Sequence, residues 1–153
     1  MLWAVLSGIA LLIIIGLGFY AGKLLFLLKQ QKARQEAARQ SRITNITDSI
    51  IVIAKAMDQQ QCDLSEGVIR IVNLLNALPI NTPPDFKAQY PHIHALFTEV
   101  SGFAILEARQ QLPKSERKKQ DMAREQIESE YESKVLAELP PLQAYCETLM
   151  TAK

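Results

Sequence analysis

Apolar residues are distributed very unevenly along this chain. From Met1 to Gly22 no side chain carries a charge, and the run LLFLL follows directly after Lys23. At 1.5 Å per helical residue, this stretch of 22 residues spans roughly 33 Å, enough to cross a hydrocarbon core of about 30 Å. Backbone polar groups in that core must be paired within the segment, so a helix is expected. The pattern predicts a transmembrane anchor over residues 1–28, with Leu2 and Gly22 at its ends.

The pattern changes twice after the anchor. Residues 29–42 are polar and rich in strong helix formers, which predicts a solvated, basic helical stalk. Apolar residues then recur at spacings of 3, 4, 3 and 4, at Ile43, Ile46, Ile50, Ile53 and Met57. This spacing places them on one face of a helix. We expect that face to line the core of a small bundle; a short seam that pairs two copies is the alternative.

Further helices are indicated downstream. Asp63 followed by Glu66 matches a capping box, in which the aspartate oxygen accepts hydrogen bonds from free backbone N–H groups. The apolar positions that follow predict a helix that stops at Pro79. A short turn capped by Asp85 comes next, and Pro91 fits the first turn of another helix.

The C-terminal third is highly charged. Gly102 interrupts the preceding helix, and residues 103–112 resume a helical pattern. The segment after Pro113 predicts a solvated helix with a narrow apolar stripe, and Pro140–Pro141 is expected to end it before a last short helix. No alternation typical of strands is visible. We therefore predict an all-α protein: one N-terminal transmembrane helix, a polar stalk and a cytoplasmic helical domain over residues 43–153.

Charge indicates an orientation. The chain has 17 basic and 16 acidic residues, but residues 1–42 hold six basic groups against the single Glu36. The positive-inside rule places this flank in the cytoplasm, with the N-terminus outside a bacterial inner membrane. These basic groups could also contact anionic headgroups, although a topology signal alone explains them. No basic residue precedes the apolar run, so we expect an uncleaved anchor rather than a signal peptide. The mildly acidic remainder argues against a nucleic-acid partner.

Small residues at helical spacing give a weaker signal in the anchor. Gly18 and Gly22 form a GxxxG pair, and Ala4 and Gly8 have the same spacing. Such pairs can let two membrane helices approach closely. Self-association through this face is therefore an open alternative.

Candidate chemistry is sparse. His92 and His94 are two residues apart and do not share a helix face, so no metal site is expected. Cys62 precedes a helix N-terminus, where the dipole can lower a thiol pKa, but no histidine base can be placed beside it. The charged segment contains four closely spaced acidic residues that we assign to a solvated face: Glu125, Glu128, Glu130 and Glu132. We expect no enzyme activity and no cofactor.

Three sequence blocks together resemble a family of small bacterial proteins. They are Cys62-Asp-Leu-Ser-Glu-Gly67, then Pro84-Asp-Phe86 with Gln89-Tyr-Pro91 and His94, and finally Glu107-Ala-Arg109 with Leu112-Pro-Lys114 and Glu116-Arg117. The family that they resemble has one N-terminal membrane helix and a cytoplasmic domain of unknown function. The resemblance implies this architecture and an inner-membrane setting, and it implies no activity.

The polar residues of these blocks define one candidate site. A cluster between helices could contain Asp63, Glu66, Arg70, His94, Glu107 and Arg109. Capping and bonds between helices explain the same residues more simply.

Anchor and domain together favour a membrane-tethered interaction module whose partner is another protein or a second copy. A self-associating structural protein is the alternative, and a ligand sensor or enzyme using the cluster is a further one.

Overall fold

The computed structural model describes residues 2–102 and 113–151, and this part of the chain contains helices and no strand. The helices are α1 (Leu2–Asp58), α2 (Leu64–Asn76), α3 (Phe86–Gln89), α4 (Pro91–Val100) and α5 (Lys114–Thr151). The all-α class is confirmed, with an apolar N-terminal helix followed by a helical bundle. The chain divides into two compact units, Met1–Ser41 and Arg42–Lys153.

The first unit is a single stretch of helix whose apolar side chains face outward. All side chains described between Trp3 and Leu28 are exposed, and Trp3 itself is 88% exposed. An 18-residue window of this helix has a mean hydropathy of 2.3 and is not buried at all. By length and composition the segment can cross a membrane. A continuous apolar surface of this size is unusual on a soluble protein, because water disfavours it.

The second unit is built around a continuous apolar core. α1 supplies Ile50 and Met57 to this core, and α4 lies against both α2 and α5. The buried apolar side chains from the other four helices include Val68, Ile71, Leu75, Phe86, Ile93, Leu96, Val135, Leu139 and Leu142. The interpretation of the isoleucine seam as a core face is confirmed. Ile50 is fully buried within its own chain, so it is not available to pair with a second copy.

One buried position in this seam is polar. Thr47 is fully buried, and its hydroxyl donates to the carbonyl oxygens of Ile43 at 2.8 Å and Thr44 at 3.0 Å. The hydroxyl is therefore paired inside its own helix, and the methyl group can pack as an apolar group would. A search for apolar residues at helical spacing misses Thr47, because threonine is counted as a polar residue.

The end of α1 is a Schellman motif. The N–H of Gln61 donates to the Ala56 carbonyl at 2.8 Å, and the N–H of Gln60 donates to the Met57 carbonyl at 3.1 Å. Gln60 has a φ of 55°, the left-handed conformation that glycine adopts most easily. The chain thereby reverses into α2 within five residues, Gln59 to Asp63.

Several helix boundaries follow the sequence signals. α2 ends before Pro79, and Pro91 occupies the first turn of α4. Asp85 caps α3 by accepting from the N–H groups of Lys87 at 3.1 Å and Ala88 at 3.2 Å. These predictions are confirmed. The predicted helical pattern over residues 103–112 lies outside the described residues.

The prediction that Pro140–Pro141 ends a helix is wrong. α5 continues through both prolines to Thr151, and the expected last helix is its final part. Both proline rings are exposed, while Leu139 and Leu142 on either side are buried in the core. Burial of these two leucines holds the chain on the core, and the carbonyls that lose their N–H partners belong to Leu136 and Ala137, the second of which is exposed.

Gly67 of α2 lies directly against the Met57 side chain of α1. A Cβ at this position would lie 2.3 Å from the sulfur and 2.5 Å from Cγ of Met57, whose side chain is buried. Real Cβ atoms do not tolerate such distances, so a larger residue requires Met57 to move within a packed core. A helix-weakening glycine thus occupies the first turn of α2, where the buried Met57 side chain leaves no room for a Cβ.

We expect Gly67→Ala to destabilise the protein by about 1–2 kcal/mol, because overpacking outweighs the gain of up to about 1 kcal/mol in helix propensity. Thermal unfolding of the full chain in detergent, followed by circular dichroism at 222 nm, measures this change. Met57→Ala combined with Gly67→Ala should cost less than the sum of the two single changes. Additive effects would contradict the contact.

Candidate functional site

The N-terminus of α4 is capped by a carboxylate from another helix. Glu138 of α5 accepts from the backbone N–H of His92 at 3.0 Å through Oε1 and from that of Ile93 at 2.9 Å through Oε2. The same Oε1 lies 2.7 Å from Nδ1 of the His92 ring, which donates in the tautomer that carries the proton there. Pro91 has no N–H, so Glu138 binds the first two donors that α4 offers. The carboxylate is 13% exposed, which strengthens these charge-assisted bonds.

A second carboxylate of α5 performs the same role at α2. Glu128 Oε1 accepts from the backbone N–H of Ser65 at 3.2 Å. Among the described residues, the Asp63 side chain makes no capping hydrogen bond, and Glu66 pairs with Arg70 one turn later instead of reaching back. The capping-box prediction is therefore wrong, because a partner from another helix takes the donor that the local aspartate was expected to bind.

The assignment of the whole acidic run to a solvated face is wrong at one position. Glu125, Glu130 and Glu132 are exposed, whereas Glu128 is half-buried and bonded to α2. Glu138 is also absent from the residues that the sequence indicates as candidates. A usable signal exists in both cases: each glutamate is adjacent to a stripe residue that contacts the core, Ile127 and Leu139 respectively.

Two open clefts meet at Cys62 and Asp63, where α1 turns into α2. The first has a volume of about 280 Å³ and lies between this turn and α5; Met57, Leu64 and Leu136 form its apolar part, and Glu125, Glu128 and Glu132 its acidic part. The second has a volume of about 440 Å³ and extends along α1 and α2; it is lined by Val52, Ile53, Ala56, Gln61, Glu66 and Arg70. Apolar and charged groups thus lie side by side at this corner, the combination that binding surfaces use.

Cys62 at this corner is a thiol rather than a thiolate. Burial raises its pKa, and the Glu66 carboxylate adds to the rise, against a lowering by Arg70. Its sulfur lies 3.5 Å from the Asp63 carbonyl oxygen and donates to it. The expectation that the helix dipole would lower this pKa is wrong, since desolvation outweighs it. Cys146 is fully buried, and burial raises its pKa to about 11.

The residues of the predicted polar cluster lie in different places. Asp63, Glu66 and Arg70 surround Cys62, where all three act on its pKa. His94 lies on α4, and the charged groups that act on it are Lys87, Asp85 and Glu138. Glu107 and Arg109 lie outside the described residues. Within the described part of the chain, no group of three or more His, Cys, Asp or Glu side chains is arranged to hold a metal ion.

His94 is a half-buried base without a partner at one ring nitrogen. Its Nε2 atom is buried and has no hydrogen-bond partner among the described residues. Desolvation lowers the pKa of His94 below its ordinary value of 6.5, and the Lys87 ammonium lowers it further against opposing effects of Asp85 and Glu138. The ring is consequently held neutral at neutral pH.

Comparison with known proteins identifies similar sequences. The family described as "Protein of unknown function (DUF2489)" matches residues 14–142. A protein of Haemophilus influenzae that is named "Uncharacterized protein" is 36% identical over 139 residues, which covers 91% of each chain. No solved structure matches the chain.

We expect Glu138→Ala to destabilise the protein by about 2 kcal/mol, because two backbone donors of α4 lose a charged acceptor in a mostly buried site. Glu130→Ala is the matched control on the same helix; its side chain is exposed, so its effect should stay within about 0.5 kcal/mol. Thermal unfolding of the full chain measures both. Equal midpoints for the two variants would be incompatible with capping by Glu138.

The lowered pKa of His94 predicts a pH dependence of stability. Below about pH 6.5 the unfolded chain binds a proton that the folded chain resists, so stability that is present above pH 6.5 declines as the pH falls. His94→Gln removes this contribution. Between pH 7 and 5 the unfolding midpoint of the wild type should therefore fall more steeply than that of the variant, and parallel curves would argue against a neutral, desolvated His94.

Proposed function

We propose that this chain, which belongs to the DUF2489 family of proteins of unknown function, is a membrane-tethered helical interaction module at the cytoplasmic face of the bacterial inner membrane. One observation carries the proposal: an exposed apolar helix long enough to cross a bilayer belongs to the same chain as a separately packed helical unit. Such a tether raises the local concentration of a binding domain at the membrane without new contacts.

Charge supports the orientation. Five basic side chains, from Lys23 near the end of the apolar run to Arg39 beyond it, lie in the first unit, against the single Glu36. No charged side chain precedes them. The positive-inside rule favours the topology in which this side, and the helical unit after it, lie in the cytoplasm.

The corner at Cys62 supports a protein partner. Both clefts combine aliphatic side chains with carboxylates, and Val52 beside the second cleft is 59% exposed although it is a large aliphatic residue. Open clefts of mixed character suit a segment of another protein better than a small molecule, which needs an enclosed pocket.

Self-association through the anchor is the second candidate. A Cβ placed on Gly18 or Gly22 would meet no atom within 4 Å, so the GxxxG face is open to a second helix. Close approach of two such faces is a known mode of pairing in membranes.

Site-specific photocrosslinking in living cells tests the proposal. A photoreactive amino acid at Val52 should capture a discrete heterologous membrane or cytoplasmic protein; the same probe at Met122, which is 61% exposed and does not line either cleft, is the matched control. Capture of the chain itself would favour self-association. No capture at Val52, or equal capture at both positions, would overturn the assignment of the corner as an interaction surface.

The orientation needs its own measurement. A reporter that is active only in the periplasm, fused after Lys153, should be silent, and the same reporter fused before Met1 should be active. The reverse pattern would place the helical unit outside the cytoplasm.

A further inference from the structure

The strongest charge feature outside the clefts is the basic neck, which we define as Lys23, Lys29, Lys32, Arg34 and Arg39 of the first unit. All five belong to the helix that carries the apolar run, and Lys23, Lys29, Lys32 and Arg34 are exposed. Arg39 is bonded to the only acidic residue of the unit, Glu36, at 3.3 Å. The only carboxylate of the unit is therefore already paired with Arg39, which lies beyond the other four basic residues along the helix.

Helix geometry places these charges at different depths. With Leu28 as the last apolar residue of the run, Lys29, Lys32 and Arg34 follow it by about 1.5, 6 and 9 Å along the axis. A Debye length of about 8 Å at physiological salt includes Lys29 and Lys32 and ends just short of the Arg34 backbone, whose long side chain can reach back toward the headgroups, whereas Arg39, about 16 Å away, lies well beyond it. Lys23 lies about 7.5 Å before Leu28, a depth from which its long stem lets the ammonium group reach the headgroups.

The arrangement around the helix distinguishes a lipid layer from a protein partner. At 100° per residue, Lys29, Lys32 and Arg34 point roughly 240°, 180° and 20° away from Lys23. A helix that docks on a protein presents one stripe, whereas these charges lie on two opposite sides of the axis. A headgroup layer surrounds a membrane helix on all sides, so it is the partner that this distribution fits.

We propose that four residues of the basic neck, Lys23, Lys29, Lys32 and Arg34, form a binding site for anionic phospholipid headgroups and contact the phosphates. This proposal rests on the membrane placement in the proposed function. Each basic residue near the surface contributes about 1 kcal/mol, which corresponds to about a fivefold preference for an anionic lipid.

Fluorescence quenching by brominated lipids provides the test. Trp3 is the only tryptophan, so the variant Trp3→Phe with Phe26→Trp moves the single fluorophore to a position three residues from both Lys23 and Lys29. The full chain is reconstituted in vesicles of phosphatidylcholine and phosphatidylglycerol in which one lipid at a time is brominated. The wild-type Trp3 reports the opposite end of the apolar run, where no basic side chain lies, and is the internal control.

The expected result is a preference of about fivefold or more for phosphatidylglycerol around residue 26 at low salt, and none around Trp3. Replacement of Lys29, Lys32 and Arg34 by Gln should reduce the preference at least fivefold. Arg39→Gln, which removes one distant charge, should leave it unchanged. High salt should weaken the preference.

Different results would overturn the lipid site alone and the membrane placement as well. Equal quenching by both lipids at residue 26, or a preference that survives the triple replacement, overturns the lipid site and leaves the membrane anchor intact. Absence of quenching by either lipid at both tryptophan positions overturns the lipid site and the membrane placement together.

Discussion

The arrangement of the helical unit depends on two carboxylates of α5 that occupy the N-termini of other helices. Free N–H groups at a helix start must be paired when the start is buried against the core, because an unpaired donor costs as much as a lost hydrogen bond. Glu138 meets this requirement for α4, and Glu128 meets it for α2. The two glutamates are ten residues apart, about 15 Å along α5, and so set how far apart the two helix starts lie.

Apolar burial and these polar contacts have different roles. The α5 stripe of Val135, Leu139, Leu142 and Cys146 supplies buried area, but burial is non-directional, so its area alone does not exclude a shift of the helix by one turn. A carboxylate that bonds two consecutive backbone donors does not tolerate such a shift. The same contacts explain why α5 passes through Pro140–Pro141: Glu138 and Leu139 before the prolines and Leu142 after them are all held by the core, and the two rings face solvent.

The two clefts, the candidate functional features of the helical unit, lie where the packed helices leave surface uncovered. The tight reversal at Gln60 and the close approach of Gly67 to Met57 bring the end of α1 against the start of α2, and the two clefts open beside that turn. Cys62 lies between them as a protonated thiol, which suits packing or recognition better than nucleophilic chemistry. In the first unit the exposed surface is that of the apolar helix itself, and basic residues follow it along the chain.

Amino-acid order alone determined every feature that depends on local pattern. The apolar run of the anchor, the charge asymmetry around it, the seam from Ile43 to Met57 and the helix signals at Asp85 and Pro91 need no distant partner, because hydrophobic periodicity and backbone chemistry act within a few residues. Tertiary structure decided the features in which two groups compete for the same hydrogen-bond donor, or in which packing on the core overrides a local signal. Asp63 and Pro140 carry strong local signals, yet Glu128 takes the donor at α2, and packing on the core keeps α5 helical past its prolines. Tertiary structure also decides the pKa of Cys62. Burial and the nearby Glu66 carboxylate raise this pKa, whereas the local helix dipole alone would lower it.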